Sequence, residues 1–318
     1  MKSFQKYILQ FKWIYSIVAF LLVSISANAQ IEPMFTQYMF NETFINPAYV
    51  GSHEYLSATL LYRDQWVGIE GSPKTQTLSV HAPVNDRKIG LGLSFMKESI
   101  GVSDKIVVNG SFAYRILMPT GTLAFGVQAG FVNDQENLTS LHTNVSGDNQ
   151  FSSNVKKYFL PNAGFGVYYK TDRYYAGFSI PRLLENKFNI ANSEVVTHNI
   201  GNFKIWHYYL AAGYVFDLNS NLKFKPSAML KALVNAPMEI DLNADVLIND
   251  LIWAGLGYRT GDAVSALVGI QLNKNLKIHY SYDYTLTALQ TFNNGSHEFS
   301  IIYDVSLNKD KIVSPRFF

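Results

Sequence analysis

The segment that decides the fold is residues 238–248, which read MEIDLNADVLI. The even positions are apolar, whereas positions 239, 241, 243 and 245 carry acidic or amide side chains. Because a strand turns successive side chains to opposite faces, this segment has one apolar face and one acidic face. Roughly ten residues suffice for a tilted strand to cross a bilayer. The segment therefore fits a soluble sheet or the wall of a membrane barrel, and the rest of the chain decides between them.

The same alternation recurs after residue 55 in units of roughly ten residues that are separated by turn residues. In IGLGLSFM (89–96) and LAFGVQAGF (123–131), the second face is rich in small residues, which suits a crowded interior. We predict fourteen strands, near residues 56–66, 74–82, 88–97, 105–116, 122–133, 159–170, 173–180, 205–216, 222–233, 238–248, 251–259, 263–272, 276–285 and 296–305.

The connections between these strands alternate between short and long. The longer ones span about 67–73, 98–104, 134–158, 181–204 and 286–295. Outer-membrane barrels have short periplasmic turns, longer outside loops and an even number of strands. The predicted fold class is therefore all-β, a transmembrane antiparallel β-barrel of about 14 strands with periplasmic N- and C-termini.

The composition agrees with a lipid-facing barrel. Charged residues make up 16% of the chain, and it contains 20 Tyr and 22 Phe. The absence of cysteine excludes disulfides, thiolate metal sites and cysteine nucleophiles. After residue 29, no apolar run reaches the roughly 18 residues of a transmembrane helix. We predict that Trp66 and Trp253 anchor the barrel at the interface, with ligand stacking as the alternative. Aromatic residues at strand ends fit membrane girdles or the ordinary β-propensity of tyrosine: Tyr114, Tyr158, Phe159, Tyr168, Tyr169, Tyr174, Tyr175, Tyr208, Tyr209, Tyr258, Tyr282 and Tyr284.

Residues 1–29 fit a secretory signal peptide, with a basic start, an apolar stretch and a small-x-small cleavage site. An uncleaved membrane anchor is the alternative. The full chain has 26 basic and 24 acidic residues. Without the lysines of the leader, the acidic residues slightly outnumber the basic ones and the chain is nearly neutral. Nucleic acid is therefore not expected as a partner. The predicted order is a leader (1–29), an N-terminal segment (30–55), the barrel (56–305) and a periplasmic tail (306–318).

Charged residues on the polar strand faces form a candidate lumen group: Glu239, Asp241, Asp245, Asp283, Lys223 and Lys225. A paired, solvated interior is the main interpretation, and a metal site or ion filter is the alternative. His279 lies near Ser281 in sequence, but no nucleophile motif surrounds them. We therefore predict no catalytic residue, cofactor or metal, and no enzyme activity.

The segment before the first strand carries a specific motif, FTQYMFN at 35–41 and NPAYVG at 46–51. It resembles the N-terminal signature of the PorP/SprF family of type IX secretion membrane proteins. RDQWVG (63–68), GSPKT (71–75) and PRFF (315–318) agree with the resemblance. The matching positions are Phe35, Gln37, Tyr38, Met39, Phe40 and Asn41, then Asn46, Pro47, Ala48, Tyr49 and Gly51.

The resemblance implies an outer-membrane barrel of Bacteroidota that serves type IX secretion and, in gliding species, the surface display of adhesins. It implies as partners the lipid of the outer membrane, a secreted type IX cargo protein, and periplasmic ring or peptidoglycan-binding components of the secretion machine. The expected function is to dock, help export or anchor that cargo. A passive porin or solute channel is the alternative that the strand pattern allows.

Two parts of the chain are candidates for these roles. We hypothesise that residues 35–51 plug the lumen or close its periplasmic mouth, because a segment rich in aromatic residues suits packing more than free solution; a periplasmic extension is the alternative. Loops 134–158 and 181–204 are long enough to bind a partner. An apolar patch in the second loop would mark a protein interface or fold inward over the pore, with its residues including Leu183, Leu184, Phe188 and Ile190.

Overall fold

The structure, a computed structural model, describes residues 33–140, 155–189, 194–200, 202–234 and 236–306. The predicted leader and nearly all of the tail lie outside these residues. No helix in the described part is long and apolar enough to cross a membrane. The strands in this part are β1 (Leu56–Asp64), β2 (Lys74–Val84), β3 (Ile89–Ile100), β4 (Ser103–Met118), β5 (Gly121–Glu136), β6 (Val155–Lys170), β7 (Tyr174–Ile180), β8 (Leu184–Asn189), β9 (Glu194–Ile200), β10 (Tyr208–Tyr214), β11 (Phe216–Asn219), β12 (Leu222–Ala232), β13 (Glu239–Ile248), β14 (Ile252–Arg259), β15 (Ala263–Gln271), β16 (Leu276–Thr285) and β17 (Ser296–Val305).

Fifteen of these strands form one antiparallel sheet that closes on itself. β1 pairs with both β2 and β17, and β10 joins the two arms of the sheet by pairing with β7 and β12. β10 and β11 form a single span that is interrupted at Val215, and β8 and β9 form a separate hairpin. The described chain is thus a closed barrel of fourteen strands, which confirms the predicted fold class.

Strand β13 turns its charged side chains into the barrel, where residues of the neighbouring strands pair with them. Lys225 of β12 lies opposite Asp245, and Arg259 of β14 lies opposite Asp241. Opposite charges on neighbouring strands attract each other, which helps to fix the register. Asp245 is 1% exposed, whereas the outward Leu242 is 49% exposed. The predicted orientation of this strand is therefore confirmed.

The barrel wall is apolar outside and polar inside. Leu93 and Leu256 face outward and are 67% and 66% exposed, whereas Thr77, Ser79 and Ser281 face inward and are 1% exposed. This pattern is the reverse of a soluble protein, and it requires lipid around the barrel.

Several predicted positions need correction. The girdle prediction is wrong for Tyr168, Tyr175 and Tyr209, and the anchor prediction is wrong for Trp253, because all four are buried on inward positions of their strands. Leu247, which lies next to the turn at the end of β13, is also buried and packs with Trp253. The lumen contains bulky segments of chain, so large rings are stabilised there as well as at the lipid interface.

Some connections also differ from the prediction. The expected loop 98–104 is a tight turn at 101–102, because β3 and β4 continue to Ile100 and from Ser103. The expected strand 205–216 begins instead at Tyr208, and the loop before it contains the β8–β9 hairpin. At the turn between β13 and β14, Asn249 and Asp250 have φ of 54° and 53°, as a type I′ turn requires.

The barrel has two distinguishable ends. At the short-turn end, β1 begins and β17 ends. This end also carries the tight turns, such as 249–251. The opposite, long-loop end carries connections 65–73, 137–154, 181–207 and 286–295. Which end faces the periplasm stays a prediction.

Candidate functional site: a filled lumen

Residues 33–52, here called the plug, run through the barrel interior. Near the long-loop end, Arg259 Nη2 donates to the Phe35 carbonyl oxygen at 3.3 Å. Near the short-turn end, Arg115 Nη1 donates to the Gly51 carbonyl oxygen. Between these points Gln37 and Val50 are 0% exposed. The plug backbone forms three short 3₁₀ turns, Tyr38–Phe40, Glu42–Phe44 and Pro47–Tyr49.

The plug is held at the long-loop end by a set of residues that we call the anchor cluster: Thr36, Arg63, Arg259, Asp283 and Glu298. The Glu298 carboxylate accepts from the backbone N–H of Thr36 at 3.0 Å and of Gln37 at 2.7 Å. Thr36 Oγ1 donates to Asp283 at 2.7 Å. Arg63 bridges Asp283 at 2.8 Å and Glu298 at 3.0 Å. Charge-assisted bonds of this kind are stronger than neutral ones.

The anchor cluster continues along the wall through predicted lumen charges. Arg259 Nε lies 2.7 Å from Asp241 and 3.6 Å from Glu239, and Glu239 lies 3.6 Å from Lys231. The side chains of these four residues are at most 9% exposed. The interior is therefore paired, but the expectation that it is solvated is wrong. The pairing offsets the cost of desolvating the charges.

The other predicted lumen charges divide into two groups. Lys225, which lies opposite Asp245, places its Nζ 5.7 Å from the centre of the Phe40 ring. Lys223 instead pairs with Asp250, whose side chain is 65% exposed in the turn after β13. Lys223 itself is 17% exposed and lies on the same face of β12 as Lys225, so it lies at the short-turn end of the lumen.

Amide side chains of the plug satisfy polar groups of the wall. Gln37 Nε2 donates to the Glu298 carbonyl oxygen at 2.9 Å, and Gln37 Oε1 accepts from Ser300 Oγ at 2.6 Å. Asn41 Nδ2 donates to Thr77 Oγ1 at 3.3 Å. Buried polar groups must be paired in this way, which explains why an otherwise aromatic segment contains amides.

Aromatic residues fill the middle of the barrel. Phe40 stacks on His279 with ring centres 4.1 Å apart, and Trp253 meets Phe40 edge-on at 5.6 Å. Met39 is 1% exposed beside them, and Tyr38 donates to Ser227 Oγ at 3.2 Å. The lumen thereby acquires a hydrophobic core that is built by plug and wall together.

Glu42 is a buried carboxyl group of the plug and is 4% exposed. Burial raises the pKa of Glu42 to about 7, against the opposing charges of Lys225 and Lys170. The plug therefore contains a group whose protonation changes near neutral pH.

The Asn46-Pro47-Ala48 motif fits into hollows of the wall. Asn46 Oδ1 accepts from the N–H of Ala48 at 2.9 Å, and its Nδ2 donates to the Val167 carbonyl oxygen at 3.0 Å. Pro47 starts the 3₁₀ turn, where its missing N–H costs nothing. A Cβ on Gly166 would lie 2.0 Å from Asn46 Oδ1, and one on Gly126 would lie 2.2 Å from the Ala48 nitrogen.

At the short-turn end, Gly51 adopts a φ of 71°, which favours glycine. Its N–H donates to His81 Nδ1 at 3.2 Å, and Tyr49 meets Tyr168 edge-on at 5.5 Å. A Cβ on Gly90 would lie 1.9 Å from the Val50 carbonyl oxygen. Wall glycines of β3 and β5 thus allow the plug backbone to approach, and Gly166 of β6 leaves room for the Asn46 side chain, which explains the small residues on those strand faces.

The predicted apolar loop patch is only partly described. Leu183 and Leu184 are half-buried, and Leu183 donates its N–H to the Ala163 carbonyl oxygen at 2.8 Å. Phe188 lies in β8, and Ile190 lies outside the described residues. These positions leave the patch a prediction.

Sequence reasoning did not single out Thr36, Glu42 and Arg63 as lumen residues. A signal for two of them was present. Arg63 shares its strand face with the inward positions 57, 59 and 61, and Glu42 is a lone carboxyl in an apolar, amide-rich segment. Thr36 carries no such signal, because two of its partners, Asp283 and Glu298, lie 247 and 262 residues away in sequence.

Residues 27–303 match the family described as type IX secretion system membrane protein PorP/SprF. The chain belongs to the PorP/SprF family. No curated protein matches the chain by sequence. As a PorP/SprF protein it is a type IX secretion membrane component, and the plug contains the motif by which its sequence resembles the family.

The chain is similar to several solved structures. The CymD monoaromatic hydrocarbon channel superposes with a TM-score of 0.53 at 13% identity, over 89% of this chain and 95% of that one. Omp33 of Acinetobacter baumannii gives 0.46 at 6% identity, over 80% and 99% of the two chains. The Pseudomonas putida toluene transporter TodX gives 0.45 at 11% identity, over 84% and 93%. At these identities the CymD likeness supports the barrel fold alone.

Proposed function

We propose that this PorP/SprF protein is a plugged accessory of the type IX secretion system that docks, helps export or anchors a secreted surface protein. The observation that carries the proposal is the plug. A porin needs a water-filled lumen, whereas residues such as Gln37, Tyr38, Val50 and Glu298 in this lumen are at most 1% exposed. A barrel filled in this way serves as a rigid platform and not as a passive channel.

In this proposal the barrel sits in the outer membrane of a member of the Bacteroidota after its leader has been cleaved. The long-loop end meets the secreted cargo, which in gliding species includes adhesins. The short-turn end meets periplasmic ring or peptidoglycan-binding components. Long loops on a rigid barrel are natural binding surfaces, which supports this assignment of the two ends.

Ion conductance in a planar bilayer separates the accessory from the passive porin. We expect the purified barrel to conduct poorly and a variant lacking residues 35–51 to conduct well, because deletion removes the side chains that fill the lumen. A wild-type conductance equal to that of the deletion variant would reject the plugged accessory and favour the porin.

Co-purification tests the partner. The tagged protein, extracted from native membranes in mild detergent, should bring with it a large secreted protein or secretion-machine components. An unrelated outer-membrane barrel from the same cells, carrying the same tag, is the control. If both barrels recover the same set of proteins, the docking role is wrong.

A further inference from the structure

The connection between β16 and β17 at the long-loop end contains a short 3₁₀ helix, Ala288–Phe292, here called the rim helix. Backbone hydrogen bonds tie this connection to its neighbours. The N–H of Asn294 donates to the Val67 carbonyl oxygen at 2.7 Å, and the N–H of Leu286 donates to the Asp262 carbonyl oxygen at 2.7 Å. The rim helix is therefore held in a defined position at the edge of the barrel.

The rim helix has an apolar face and a polar face. A 3₁₀ helix has three residues per turn, so residues three apart in sequence share a face. Leu289 and Phe292 share one face, and both are exposed. Gln290 and Asn293 share another face. At 72%, Phe292 is the most exposed large apolar side chain among the described residues.

The polar face of the rim helix is the one that meets the barrel. Asn293 Oδ1 accepts from Thr285 Oγ1 at 3.0 Å, and Gln290 Nε2 donates to the Tyr284 hydroxyl oxygen. Tyr284 points outward from β16 and is 48% exposed, so the rim helix reaches the lipid-facing side of the wall. A surface helix in water turns its polar face to the solvent. The rim helix has the opposite polarity, as the barrel wall does.

The lipid-facing surface of the wall continues up to the rim helix. Tyr258, Val264 and Tyr284 lie side by side on β14, β15 and β16, and all three are exposed on the outer face. Residues 284–296 contain no Asp, Glu, Lys or Arg, whereas each of the other long connections contains at least one of these residues. Charged side chains are costly on a surface that faces lipid. A connection without charge therefore fits a position against the bilayer.

We propose that the rim helix is a membrane contact, in which Leu289 and Phe292 insert into the bilayer surface at the long-loop end. Interfacial helices bury an apolar face in this way at the boundary between headgroups and acyl chains. A protein partner could also cover an apolar face, but the bond from Gln290 to the outward Tyr284 and the charge-free sequence favour lipid. This contact goes beyond the docking role and does not depend on it. The secreted partner then meets the other long connections.

Nitroxide labels test this contact in purified protein that is reconstituted into phosphatidylcholine liposomes. Because the chain has no cysteine, Phe292→Cys introduces a single attachment site. Oxygen concentrates in the bilayer and a nickel chelate stays in water, so their collision rates with the label report its surroundings. We expect the Phe292→Cys label to resemble that of Leu256→Cys, which faces lipid in the wall. The nickel chelate should reach it several-fold less often than the label of Glu70→Cys in an exposed loop.

Thr291→Cys is the matched control. Thr291 is exposed and adjoins Phe292, but it lies on a different face of the rim helix. Its label should therefore remain accessible to the nickel chelate, as the label of Glu70→Cys is. Leu289→Cys shares the face of Phe292 and gives a second reading if Phe292→Cys fails to fold.

Two results would overturn the proposal. If the nickel chelate reaches the Phe292→Cys label as readily as the Thr291→Cys label, the apolar face lies in water and is left for a protein partner. If both labels are shielded from oxygen as well as from nickel, a second copy of the chain, and not lipid, covers the rim helix.

Discussion

Replacing Arg63 by methionine should loosen the plug. Arg63 bonds to Asp283 at 2.8 Å and to Glu298 at 3.0 Å, and its Nη1 also reaches Thr36 Oγ1 at 3.0 Å. The side chains of all three charged residues are at most 3% exposed. Methionine keeps much of the length of the side chain but removes its charge and its donors.

The expected loss of plug stability follows from the burial of the two ion pairs that Arg63 forms. Removing one partner of a buried ion pair costs about 3–5 kcal/mol, because the remaining charges stay buried without compensation. Here Asp283 and Glu298 both lose a partner, although Arg259 Nη1 still lies 3.9 Å from Asp283. We therefore expect a loss near the lower limit, about 3 kcal/mol, which corresponds to at least about a hundredfold more frequent plug opening.

The natural absence of cysteine permits a clean assay. A single cysteine introduced by Ala48→Cys, at a position that is 1% exposed, reports plug opening through its rate of reaction with a maleimide. With Arg63→Met added, the labelling rate should rise at least about a hundredfold.

Arg173→Met is the matched control. Arg173 also lies 2.8 Å from a carboxylate, that of Asp217, but the two side chains are 58% and 42% exposed. Exposed pairs contribute about 0–1 kcal/mol, so Ala48→Cys labelling should hardly change. If the Arg63 and Arg173 variants label at the same rate, the anchor cluster does not hold the plug.

Other parts of the plug give further predictions. Phe40→Ala should weaken plug packing by roughly 2–4 kcal/mol, since Phe40 is half-buried, and shift the fluorescence of Trp253 to the red; an unchanged spectrum would contradict its stacking role. Gly126→Ala places a Cβ 2.2 Å from the plug backbone and should speed Ala48→Cys labelling, whereas Gly110→Ala, with its nearest atom at 3.8 Å, should not. Burial raises the pKa of Glu42 to about 7, so protonated Glu42 stabilises the plugged state. This stabilisation is complete below the ordinary pKa of 4.5 and is lost as the pH rises through 7. The labelling rate, divided by that of an exposed control cysteine at the same pH to remove the titration of the thiol itself, should therefore be higher at about pH 8 than at about pH 5, and Glu42→Gln should remove that difference.

The sequence by itself determined the barrel. Alternation with period two in segments such as 238–248 assigns each side chain to one face of a strand, and this local property survives in the structure as Asp245 inside and Leu242 outside. The strand number followed from counting such segments. The resemblance of residues 35–51 to the PorP/SprF signature pointed to the family, which the match over residues 27–303 then showed.

Only the tertiary structure decided what the lumen contains. Periodicity says that Tyr168, Tyr175 and Trp253 belong to one face of their strands, but it cannot say whether water, lipid or protein lies against that face. Thr36 meets Asp283 and Glu298 only because the barrel closes and the plug threads through it. Contacts between residues so far apart in sequence depend on chain closure, which no local pattern encodes. The change from a solvated channel to a filled, charge-anchored interior is therefore a property of the folded chain as a whole.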